Sequence, residues 1–160
     1  MQDSIIQRYE KATAVNEIFE IVKDAVKESL NRERGGLMLG LSDLGIDANG
    51  FIGGYHQMGS NAIILNNSVL KRISKARQDM LKPYAFSVLL HEYLHSLGVL
   101  DEARTRLLTF KICSDCFGEN HPVTLLSRDF NKPSREIISP GAAKHSSRFD
   151  ITFVDGFDSG

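Results

Sequence analysis

Two histidines four positions apart, with a glutamate directly after the first, stand in the stretch HEYLHSLGVLDE, residues 91–102. On a helix, residues four apart share one face, about one turn apart. His91 and His95 can therefore present two imidazoles to one ion. Glu92 lies roughly 100° round the helix from His91, so its carboxylate can approach a metal-bound water without being a ligand. This is the physical content of HExxH: two ligands and a general base for zinc-assisted hydrolysis. The bland reading is three polar residues placed there by chance. Against it, Leu89, Leu90, Leu94 and Leu97 make the surrounding helix strongly apolar. Burying the three polar groups without partners costs on the order of 1–3 kcal/mol each, and a metal removes that cost.

The elements that must position these residues follow from periodicity and turn chemistry. Residues 4–33 read as helix, with Val15, Ile18, Phe19, Val22, Val26 and Leu30 at helical spacing and Asp3 or Ser4 as cap; a break near Thr13 would make it two helices. "RGG" at 34–36 ends the element. Residues 37–66 read as short strands, with a hairpin signal at Asn49–Gly50 and a strand over "NAIILN", residues 61–66. Helix returns from Ser68, and Pro83 suits the first turn of the next helix, which continues through both histidines. That segment is apolar nearly all round and should be central and buried. Gly98 ends it, and Asp101 opens another helical run. The fold class is α+β.

The string HEYLHSLGVLD resembles the zincin metallopeptidases, and its extended form HExxHxxGxxD is similar to the metzincin clan with Asp in the third-ligand place. The resemblance implies that Gly98 lets the chain turn out of the helix and that Asp101 completes a zinc site with His91 and His95. It also implies a small zincin-like domain over residues 1–130: an N-terminal helix, a short mixed sheet with an edge strand, the active-site helix and following helices. A peptide or protein substrate is then expected along an edge strand at 61–66. The chain has no methionine after Met80, so the methionine turn of the clan has no counterpart.

The residues themselves leave rivals for the third ligand: Glu102, His121, a later carboxylate such as Asp115, or water alone. In an unbroken helix Glu102 would share the face of His95 but sit about 10 Å along the axis, too far for one ion. A turn at Gly98 would bring Asp101 back instead. Asp101 has a competing role as cap of the following helix.

The whole chain sets wider bounds. At 160 residues it is long enough for one domain with one core. A formal net charge of -1 offers no footprint for nucleic acid. No apolar run approaches the ~18 residues of a membrane span. The start, MQDSIIQRYEKATA, lacks the pattern of a secretory signal, so a cytoplasmic location is expected. Cys113 and Cys116 are too few for a disulfide framework and read as small residues packing at a helix end. His56 reads as a polar loop residue or a substrate contact, and Tyr93 as core. The tail, 131–160, reads as a polar linker with two of the four prolines, then an alternating segment around Phe149, Ile151 and Phe153 that is either an added strand or a binding segment. The expected function is zinc-dependent hydrolysis of peptide bonds with Glu92 as general base. The alternatives are a metal-dependent RNA hydrolase and a non-catalytic zinc-binding module.

Overall fold

The computed structural model describes residues 3–128 and the strand at 151–153. Ser4 caps α1 (Ile5–Lys11) in a reciprocal capping box with Gln7. The chain then breaks around Thr13, as its sequence predicts, and α2 (Val15–Leu30) begins. One face of α2, carrying Ile18, Phe19, Val22 and Val26, is buried. Asn31 ends the helix in the left-handed region with φ 53°.

Three short strands follow: β1 (Met38–Ser42), β2 (Gly54–His56) and β3 (Ala62–Asn66). Next come α3 (Asn67–Ala76), a single 3-10 turn at Gln78–Met80 and α4 (Leu81–Ser96). The chain continues through α5 (Glu102–Phe117) and α6 (Pro122–Arg128), and β4 (Ile151–Phe153) closes the described set. The result is the expected α+β class. The expected boundary near residue 130 and the linker after it lie outside the described residues.

The sheet is mixed, with strand order β2-β3-β1-β4. β1 and β3 run parallel, with Leu39 opposite Ile63. β2 is antiparallel to β3, with His56 opposite Ile63, and β4 is antiparallel to β1. This corrects the expected edge strand. Residues 61–66 form an interior strand with a neighbour on each side, and the edge beyond it is β2. The burial of Ile63, Ile64 and Leu65 in succession is the mark of a strand covered on both faces, where an edge strand would alternate. The segment Gly54–Tyr55–His56 is too short and too glycine-rich to announce itself as the outer strand.

α4 is buried on nearly every side, as its continuous apolar composition predicts. It packs on α2, where the Tyr93 and Phe19 rings meet edge to face with centroids 6.0 Å apart. It also packs on β2, β3, α5 and α6. The helix that carries the histidines is thus the axis of the core.

Candidate metal centre

The site begins with the way α4 ends. The N–H of Gly98 bonds the His95 carbonyl at 3.0 Å, and the N–H of Val99 reaches back to the Leu94 carbonyl at 3.1 Å. Gly98 has φ 101°, in the region that favours glycine. Together these make a Schellman stop. The chain then reverses, and Asp101 caps α5 by accepting the N–H of Arg104 on its carboxylate at 3.0 Å. The corner is pinned further by Thr105, whose buried hydroxyl donates to the carbonyls of Val99 and Asp101 at 3.2 and 2.8 Å.

This reversal brings Glu102, not Asp101, onto the histidines. Glu102 Oε1 lies 2.6 Å from His95 Nε2, and its Oε2 lies 3.2 Å from His91 Nε2. One ligand atom from each of the three residues falls within 4.8 Å of the others, a grouping that could hold a metal ion. The expectation for Asp101 is therefore corrected. Its carboxylate is exposed and engaged with the first turn of α5. A continuous helix would set Glu102 about 10 Å along the axis from His95, and the turn at Gly98 removes that rise. Of the other rivals, His121 packs between the rings of Tyr9 and Phe117, and Asp115 pairs with Lys111, both away from the group.

The donor chemistry fits a cation. His95 Nδ1 lies 2.7 Å from the Val99 carbonyl, which can only accept, so Nδ1 carries the proton. With Nδ1 so engaged, Nε2 faces a carboxylate oxygen of Glu102, an arrangement that calls for a proton or a metal between them. Such an outer partner fixes the tautomer and orientation of a ligating histidine. Donor atoms around a tetrahedral zinc with bonds of about 2.0–2.1 Å stand ~3.3 Å apart. The His91–Glu102 spacing of 3.2 Å already matches that, and the 2.6 Å spacing at His95 must open slightly. Burial holds His91 below the usual histidine range while the charge of Glu102 pulls it back up.

Glu92 stands outside this group of three. Burial pushes its carboxyl up to about 7, reinforced by the charge of Glu102 and opposed by His95 and by the backbone N–H of His56. His56 belongs to β2, so the sheet edge lies beside the would-be base. A cleft of about 1030 Å³ opens here, lined by Phe51, Gly53 and Gly54 on the strand side, His91 and Glu92 from α4 and Arg106 and Phe110 from α5. Tyr84 lies about two turns before His91 and also lines it. A Cβ on Gly53 would come within 2.3 Å of the Tyr84 hydroxyl, so this strand approach requires glycine.

Sequence reasoning passed over one further organiser. The Arg34 guanidinium donates to the carbonyls of Ser96 and Ser60, each at 2.9 Å, and its backbone N–H donates to the Tyr93 hydroxyl at 3.1 Å. Arg32 donates to the Leu97 carbonyl beside it. The two arginines satisfy carbonyls at the end of α4 and tie it to the β2–β3 hairpin. The "RGG" stretch was legible only as a helix stop. Cys113 is buried and its thiol is pushed by burial up to about 12, in keeping with a packing role.

Compared with models of known families, with characterised proteins and with solved structures, the chain matches none. Among the described residues, no helix is long and apolar enough to cross a membrane.

Proposed function

We propose that this chain is a zinc-dependent peptidase in which His91, His95 and Glu102 hold the metal and Glu92 is the general base. The observation that carries the reading is the placement of Glu92 beside the His91–His95–Glu102 group, with His91, Glu92 and Glu102 lining an open cleft. Zinc held by two imidazoles and one carboxylate would supply Lewis acidity, lowering the pKa of a ligating water and polarising a substrate carbonyl. The chain's own contribution is proton handling and alignment. Glu92 has its carboxyl raised toward neutrality, suited to taking a proton from water and passing it to a leaving amine. His95 is held in one tautomer by the Val99 carbonyl.

The substrate is an extended peptide that adds to the outer edge of β2, beyond which no further strand pairs among the described residues. The edge at Gly54–His56 replaces the 61–66 segment in this role. A cytoplasmic setting goes with the reading, since Cys113 and Cys116 are both free thiols. The test is metal analysis of the purified protein followed by peptide-library cleavage. Glu92→Gln should retain zinc and lose cleavage by orders of magnitude. Cleavage by this variant at the parental rate would refute the assignment.

A further inference from the structure

We propose, resting on the peptidase reading, that the cleft selects peptides carrying a carboxylate one or two residues from the cleaved bond, on the side facing α5. Arg106 follows Glu102 by four residues and so shares its face of α5, about 6 Å further along the axis. Phe110 follows by four more. The guanidinium of Arg128, from α6, lies over the Phe110 ring at 5.4 Å from its centroid. Arg106, Phe110 and Arg128 all line the same cleft as His91 and Glu92.

Charge decides what this wall attracts. Among the described residues neither Arg106 nor Arg128 has a carboxylate partner. Among the described residues, the carboxylates lining the cleft are Glu92 and Glu102, at the candidate metal centre. Of these residues, an arriving carboxylate therefore meets two cations and no unengaged anion. An extended peptide advances about 3.3 Å per residue, so the 6 Å offset of Arg106 from Glu102 corresponds to roughly two residues. A guanidinium fork suits a carboxylate, which it can hold bidentately, and stacking on Phe110 limits the freedom of Arg128. The carboxylate has two sources, an Asp or Glu side chain or the C-terminus of the peptide. A phosphodiester carries the same charge sign, but the strand edge at Gly54–His56 offers the backbone pairing that a peptide, not a nucleic acid, can use.

The experiment uses fluorescent peptides of one sequence with Glu, Gln or Lys at each position flanking the cleaved bond, each with a free or an amidated C-terminus. Binding is measured on zinc-loaded Glu92→Gln protein and cleavage on the parent. We expect Glu to be preferred over Gln by about fivefold at one position on one side, as for a partly exposed ion pair. The preference should shrink as salt is raised. Arg106→Gln should bring the Glu-to-Gln ratio close to one, and Arg106→Lys should keep most of it. Preference carried by the free C-terminus alone identifies the terminal carboxylate as the source. Equal binding of Glu and Gln peptides with either terminus, or a preference that survives both Arg106→Gln and Arg128→Gln, overturns the proposal. Tighter binding of a single-stranded oligoribonucleotide than of any peptide also overturns it. Selective binding without cleavage by the parent supports this proposal and sinks the peptidase reading. Cleavage without selectivity does the reverse, and failure to bind any peptide sinks both.

Discussion

Glu102 sets a carboxylate oxygen 2.6 Å from Nε2 of His95, while its neighbour Asp101 turns away to cap the helix that Glu102 begins. Two adjacent acids are thereby divided between the histidine pair and helix capping. Glu102→Ala should lower zinc affinity by at least tenfold, measured by competition with a chelating dye. Asp101→Ala should cost about 1 kcal/mol of stability through the lost cap and leave zinc bound. Asp101→Asn should be close to the parent in both. The reverse pattern would return Asp101 to the ligand set.

Gly53 and Tyr84 form a pair that a double-mutant cycle can resolve. Gly53→Ala drives a methyl to 2.3 Å from the Tyr84 hydroxyl, whereas the ring carbon bearing that hydroxyl stands at 3.4 Å. The single variant should lose on the order of 1–3 kcal/mol, as overpacking does. Adding Tyr84→Phe should restore much of that loss, giving a coupling energy visible in urea unfolding. Additive effects would show that the strand simply moves aside.

The pH dependence of the metal-free protein should report on Glu92. Its folded carboxyl titrates near 7, above the ordinary value of 4.5, so the folded state binds the proton more tightly than the unfolded chain. The stability this contributes is fully present below about pH 4.5 and is lost as pH rises through about 7. His91 acts in the opposite sense, since its lowered value makes charging costly as pH falls. Comparison with Glu92→Gln isolates the glutamate: the parent should weaken relative to the variant between about pH 4.5 and 7. Parallel stability curves for the two proteins would contradict this assignment.

Arg34 should matter to the site without touching it. Arg34→Ala takes the side-chain donor from the Ser96 carbonyl, leaves that of Ser60 to His56 Nε2 at 2.8 Å, and should destabilise the protein by about 1–3 kcal/mol. Hydrogen exchange should localise the loosening to the end of α4 and the β2–β3 hairpin. Uniform loosening across α2 and α3 would point instead to a global packing defect.

Much of this arrangement was legible from residue types. The HExxH pattern needs only helical geometry, and α4 as the buried axis follows from its unbroken apolar composition. The stop at Gly98 could be read from glycine alone. The third member of the candidate metal group could not, because Asp101 and Glu102 offer the same functional group and differ only in direction. That direction is set by the cap, and the cap depends on where α5 starts to within one residue. The edge strand was misplaced for a related reason. Residues 61–66 carry the strong strand signal because they are interior, while the strand that is exposed, Gly54–His56, has little apolar sequence to declare it.

All three side chains of the candidate metal group fall within the twelve residues 91–102. A cross-link over so short a contour removes little freedom from the unfolded chain, because loop-closure entropy grows with loop length. The ion would therefore act as a rivet at one corner rather than as a keystone of the fold. Stripped of metal by a chelator, the protein should keep its helical circular dichroism and cooperative melting. The slack should appear in the amide exchange of residues 97–105, where the hinge between α4 and α5 would become free to breathe.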